Sequence, residues 1–237
     1  MNHIRQLNWR QTRAWSVHLY TSLGLICGFL AWSSILNYNA KQAFFWLGVA
    51  LIIDATDGTL ARKFNIKMWT PGFDGRKLDD ITDYLNYAFL PVFFIWRFEL
   101  ISGNWLIVIP LILLASVYGF CQSEAKTDDG YFTGFPNFWN LVALYLFIFQ
   151  WPEFINGLIL SILIILIFVP FKFVSFSTPG KVKLAKSLSI LYFILLIIMV
   201  INTSRLVATF SLIFPLLYFG YAIYLRINRT DNLVFVD

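Results

Sequence analysis

Charge is what this chain has least of. Only 13% of its 237 residues are Asp, Glu, Lys or Arg, about half the roughly 25% of a soluble domain. Meanwhile 59% are hydrophobic and the mean hydropathy is +0.69. That balance excludes an ordinary water-soluble fold. Apolar runs extend almost end to end, so the fold class predicted is all-α, a polytopic helical membrane protein. Cysteine is scarce too. Cys27 and Cys121 are isolated, which excludes a disulfide framework and a thiolate metal site and leaves them as small apolar fillers. His3 and His18 are equally unpaired and read as an interfacial and a span-edge residue, not as ligands. No nucleic-acid motif, internal repeat or low-complexity segment is present. The first turns are polar and basic, without a small-residue cleavage site, so no cleavable signal peptide is expected.

Hydropathy predicts about eight transmembrane spans, roughly 16–36, 42–61, 77–98, 104–123, 138–152, 154–176, 187–203 and 205–226. The fifth and sixth are barely separated, by Trp151-Pro152-Glu153. Residues 1–15 place Ile4, Leu7, Trp9 and Trp15 among Arg5, Arg10 and Arg13, the pattern of an amphipathic helix at the membrane interface. The expected organisation is one domain over 1–237: an interfacial helix at 1–15, a six-span core at 16–176 and two additional spans at 187–226. Charge placement agrees with this topology. The side holding both termini receives Arg5, Arg10, Arg13, Arg62, Lys63, Lys67, Arg76, Lys77, Lys126, Lys172, Lys181, Lys183, Lys186, Arg226 and Arg229; the other side receives Lys41, Arg97 and Arg205. By the positive-inside rule the termini are cytoplasmic. The net charge of +5 is mostly this bias and does not call for nucleic acid as a partner.

The carboxylates that are present are clustered. Asp54 and Asp57 are three apart, Asp79 and Asp83 four apart, and on helices each spacing puts the pair on one face. Unpaired charge at the edge of hydrophobic segments is costly. Two such pairs facing each other need cations to stay ionised, and clustered oxygens favour magnesium, manganese or calcium over zinc. An ion-pair network with Arg62, Arg76 and Lys77 is the structural alternative; Asp74 and Asp80 read as solvated loop or span-edge charges. An ion-coupled transporter is a remote alternative. It would place carboxylates near mid-bilayer in repeated halves, whereas these sit at one edge.

The stretch Asp54-x-x-Asp57-Gly58-x-x-Ala61-Arg62, followed by Gly75-x-x-x-Asp79-x-x-x-Asp83, resembles the signature of the CDP-alcohol phosphotransferase family at every fixed position. The spacer 63–74 is longer than the family's usual one and looks like the bacterial phosphatidylcholine synthase branch. The loop between the fourth and fifth spans is similar to that branch as well, in its Ala-Lys-Thr and Gly-Phe-Pro pieces followed by Trp139-Asn140.

The resemblance implies transfer of a phosphatidyl group from CDP-diacylglycerol to choline, releasing CMP, with another alcohol (serine, an inositol compound or glycerol phosphate) as the alternative acceptor. It implies two divalent cations, Mn2+ or Mg2+, at a metal site of Asp54, Asp57, Asp79 and Asp83, the first three as direct ligands. Asp83 lies beside the metals in that site and is the implied general base. Gly58, Ala61, Arg62 and Gly75 would meet the CDP-lipid. Choline, a quaternary ammonium, is best held by aromatic faces. Tyr84, Tyr87, Trp69 and Tyr118 are the candidates, with Tyr131 and Trp139 behind them, although each also reads as a packing or lipid-facing residue. In the same loop Lys126, Gln122 and Asn140 are polar groups open to a ligand role or to turn formation. The resemblance further implies a homodimer among membrane lipids, in a bacterial inner membrane with the active site on the cytoplasmic face.

Overall fold

The computed structural model describes residues 2–122, 131–174 and 183–229. Helix α1 (Asn2–Leu36) runs without a break, about 52 Å at 1.5 Å per residue. The amphipathic N-terminal stretch is therefore continuous with the first span rather than a separate element. Asn39 closes the turn that follows, its side chain accepting from the Gln42 amide at 3.0 Å to cap α2 (Ala40–Lys63). Arg62 and Lys63 sit on the last turn of α2, where cations oppose the negative end of the helix dipole. Asn65, in the left-handed region at φ 49°, starts the short α3 (Ile66–Trp69). Asp74 then caps α4 (Gly75–Asp83) by accepting from the Lys77 amide at 3.0 Å, so it is a structural cap rather than a free loop charge.

The third segment runs on from α4 through a π-helical stretch (Tyr84–Phe89) into α5 (Leu90–Arg97). A short 3-10 turn (Gly103–Ile107) leads into α6 (Val108–Cys121). Then come β1 (Tyr131–Thr133), α7 (Trp139–Phe149), α8 (Glu153–Phe168), β2 (Lys172–Val174), α9 (Lys183–Asn202), α10 (Arg205–Ser211) and α11 (Ile213–Arg229). Stretches Trp9–Leu36, Ala40–Lys63, Gly103–Cys121 and Arg205–Ile227 are long and apolar enough to cross a membrane; Trp139–Phe149, Glu153–Phe168 and Ile190–Asn202 are shorter apolar helices. Together with the Gly75–Arg97 segment they follow the predicted order of spans.

Several bounds differ from expectation. The sixth helix stops at Phe168, not 176, because Pro170 cannot continue it and the chain turns into β2. The fifth ends at Phe149, where Gln150 adopts φ 48° ahead of Pro152. At 1.5 Å per residue α7 is only about 16 Å and α8 about 24 Å long, against a hydrocarbon core of about 30 Å. The β1–β2 pair, antiparallel with Phe132 opposite Phe173, has no counterpart in the hydropathy reading. Gly134 follows it at φ 82°, and a Cβ there would run into the Ile167 carbonyl.

The core lies between α1, α2, α5, α6, α7, α8 and α9, built on Ile35, Phe44, Phe94, Ile112, Trp139, Leu160 and Met199, all buried. Phe94 stacks on Phe98 at 4.1 Å and tilts against Phe44 at 4.6 Å. The last helices are tied to this core by polar contacts. Tyr145 Oη lies 2.8 Å from Ser211 Oγ, and Arg205 Nε donates to the Ile148 carbonyl at 3.3 Å.

Candidate active site

Three elements converge on one small cleft: the C-terminal half of α2, the α4–π segment and the middle of α1. Its lining includes Asp54, Asp57, Asp79 and Asp83 together with Thr21, Gly24, Thr82, Asn86 and Tyr87. Carboxylate oxygens of Asp54, Asp57 and Asp79 all lie within 4.8 Å of one another. Asp57 is buried, Asp54 and Asp79 half-buried. Asp83, one turn along from Asp79, lines the same cleft but is not part of that tight triad.

Hydroxyl groups orient two of the three carboxylates. Thr21 Oγ1 donates to Asp57 Oδ2 at 2.8 Å, and Tyr87 Oη donates to Asp54 Oδ2 at 2.7 Å. A set of three converging carboxylates offers only hard oxygen donors. That suits a divalent cation of the magnesium or manganese type and does not suit a soft thiolate-seeking metal.

Helix α1 holds the other two walls through a stripe of residues that carry no family signature. His18 is buried, and its Nε2 lies 2.9 Å from Thr70 Oγ1. Its ring rests 4.4 Å from that of Phe73, so it pins the connection between α2 and α4. A Cβ on Gly75 would come within 2.8 Å of the His18 ring; that glycine is needed for this helix approach. One turn on is Thr21. Next, Gly24 accepts from Asn86 Nδ2 at 3.1 Å, and Gly28 lies beneath the Asn86 side chain, whose Oδ1 is buried without a hydrogen-bond partner. Gly24-x-x-x-Gly28 is the small-residue spacing that lets membrane helices approach closely. It is the one signal in the sequence from which this wall was open to prediction. His18, expected at a span edge, is instead a buried anchor.

The remaining predicted site residues divide clearly. Gly58 and Ala61 are half-buried on the α2 turn after Asp57. A Cβ at Gly58 would touch only the Arg62 guanidinium, at 3.4 Å; no described helix packs there, so the space is open to a ligand. Arg62 is exposed, with Nη2 donating to Thr59 Oγ1 at 3.2 Å. Tyr84, adjacent to Asp83 in sequence, turns away from the cleft: its hydroxyl donates to the Leu113 carbonyl at 3.4 Å and its ring meets Phe120 edge-on. Trp69 lies under the Arg10 guanidinium at 5.3 Å, and exposed Tyr118 packs on Phe168 at 4.8 Å. None of these three lines the cleft. Trp139 is a core residue whose Nε1 donates to Ser116 Oγ at 2.9 Å. Asn140 is buried, and its Oδ1 accepts from the Leu141 amide. Lys126 lies outside the described residues, as does the Tyr131 side chain.

Residues 18–174 match the family described as CDP-alcohol phosphatidyltransferase. The chain belongs to this family. The match contains both carboxylate pairs and the α1 stripe, and ends at β2, so α9–α11 lie beyond it. The family is divalent-metal dependent, and the Asp54, Asp57 and Asp79 oxygens fit that requirement by number, chemistry and spacing. Among similar proteins, a Borreliella burgdorferi protein named phosphatidylcholine synthase is 39% identical over 88% of this chain and 90% of its own length. Proteins of the same name from Legionella bozemanae and Rhizobium meliloti are 38% and 32% identical, each over 79% of this chain and over 90% and 77% of their own lengths.

Proposed function

We propose that this membrane protein transfers the phosphatidyl group of CDP-diacylglycerol to choline, giving phosphatidylcholine and CMP. The observation that carries the reaction class is the meeting of Asp54, Asp57 and Asp79 with Asp83 in one cleft. The acceptor is supported by relatives named phosphatidylcholine synthase that align over most of the chain. Asp54, Asp57 and Asp79 would hold Mn2+ or Mg2+, two ions in this reading. Bound there, such cations would supply charge neutralisation at the diphosphate and Lewis-acid activation of its phosphorus. Asp83, beside the triad but outside it, takes the hydroxyl proton of choline. The choline oxygen forms a bond to phosphorus as the bond from phosphorus to the CMP oxygen breaks, and CMP leaves with that electron pair. Gly58 and Ala61 leave room for the nucleotide along α2, and Arg62 at the helix end pairs with phosphate oxygens. Gly75 acts indirectly, by letting α4 start against His18.

The reading includes a bacterial inner membrane, both termini and the cleft cytoplasmic, and a homodimer. It treats the chain as one domain in which the two last spans are bound to the six-span core through Tyr145, Ser211 and Arg205. The test is product formation by purified protein given CDP-diacylglycerol, Mn2+ or Mg2+ and, in parallel, choline, serine, inositol and glycerol 3-phosphate. Phosphatidylcholine and CMP formed with choline alone is the expected result. CMP release with another alcohol overturns the acceptor, and no release with any overturns the reaction.

A further inference from the structure

Tyr87 sits where two demands meet. The residue is only 8% exposed, so little of its ring is open to a quaternary ammonium. Its hydroxyl is the one part with a clear task, donating to Asp54 Oδ2 at 2.7 Å. This is the length of a charge-assisted O–H to carboxylate bond.

The backbone explains how the side chain reaches that oxygen. In a regular α-helix Tyr87, eight residues after Asp79, would have drifted roughly 80° from the Asp79 face. The π-helical stretch Tyr84–Phe89 widens the turn and lowers the rotation per residue, which counters that drift and swings Tyr87 back toward α2. Such π insertions are rare and concentrate at functional sites. Tyr84 opens the same stretch yet aims its hydroxyl at the Leu113 carbonyl on α6, so the reach toward Asp54 belongs to Tyr87.

We propose that Tyr87 is a positioning residue: its hydroxyl fixes the rotation of the Asp54 carboxylate so that the other oxygen faces the cation, and it does not contact the alcohol acceptor. A neutral donor suits this task, because an Arg or Lys there would compete with the cation for the same carboxylate. The proposal rests on the metal-site reading above but not on choline as the acceptor.

Tyr87→Phe keeps the ring and removes only the hydroxyl. Partners of metal-ligating side chains typically govern about 10- to 100-fold of metal affinity. Mn2+ titrated into purified protein by calorimetry, without nucleotide or alcohol, is expected to bind Tyr87→Phe more weakly by that factor. The Mn2+ needed for half-maximal activity should rise in step while the KM for choline stays unchanged. Tyr84→Phe removes a hydroxyl from the same π stretch and is expected to keep the unaltered Mn2+ affinity. Equal Mn2+ affinity in Tyr87→Phe and the unaltered protein overturns the role of Tyr87 alone. An equal loss in both Phe variants also overturns it, since that reports a loosened helix. If the unaltered protein binds no Mn2+, the metal-site reading falls with it.

Discussion

Adding one methyl group to α1 should disable the site without touching any carboxylate. A Cβ placed on Gly24 would lie 2.6 Å from Thr82 Cγ2, against an ordinary carbon–carbon contact of about 3.5–4.0 Å. Thr82 cannot easily turn aside. It is buried, β-branched and therefore stiff at χ1, and its Oγ1 donates to the Leu78 carbonyl at 2.9 Å. In Gly24→Ala the two helices must therefore separate by roughly 1 Å, and Thr82 lies between Asp79 and Asp83 on the helix that moves. Overpacking of this kind costs about 1–3 kcal/mol in stability. A 1 Å misplacement of reacting groups costs about 100-fold in rate. The matched control is Gly48→Ala in α2, where a Cβ meets nothing within 4 Å. The assay is CMP release from CDP-diacylglycerol and choline in detergent micelles, with thermal unfolding of the same samples. Gly24→Ala is expected to lose about two orders of magnitude in kcat and to unfold at lower temperature, with Gly48→Ala unchanged in rate. Equal rates for the two variants would refute the claim that α1 sets the position of α4.

Other outcomes follow from the same geometry. Asp83→Asn should abolish turnover while CDP-lipid binding, measured separately, is largely kept; retained turnover would remove Asp83 as the base. Excess chelator should stop the reaction and added Mn2+ or Mg2+ restore it, so full activity in chelator would sink the metal reading. Thr21→Val, which keeps the shape but loses the donor to Asp57, should weaken Mn2+ binding by about 10- to 100-fold, read by calorimetry. His18→Ala removes the hydrogen bond to Thr70, about 1 kcal/mol, and the contact with Phe73; proteolysis of the 64–74 connection should speed up, and unchanged cleavage would argue against the anchor.

The four aspartates were legible in the sequence because their spacing alone places each pair on one helix face, and two faces of carboxylate in an apolar chain have few uses. The order of helices was legible from hydropathy for a similar reason: a bilayer demands long apolar runs, and the runs are there. Helix ends were read less well where local backbone chemistry decides them, as at Gln150 and Pro170. Tyr84 and Tyr87 show the limit most clearly. Both neighbour Asp83 in sequence, yet one faces α6 and the other Asp54, and the π-helical turn that sets their directions depends on packing among helices rather than on any local run of residues.

Helix α1 raises a different difficulty. Its contribution to the site is made by a threonine, a histidine and two glycines embedded in apolar sequence, and no one of them advertises chemistry. Gly24 and Gly28 act by lacking side chains, which lets Thr82, Leu85 and Asn86 approach the α1 backbone. Thr21 and His18 act by gripping Asp57 and Thr70 across the gap. The motif aspartates on α2 and α4 are thus held at working separation by a third helix that supplies none of them. A substitution on α1 should then change the site's geometry more than its charge. For that reason the Gly24→Ala comparison discriminates better than removal of an aspartate: losing a carboxylate would silence the site whether or not α1 positions it.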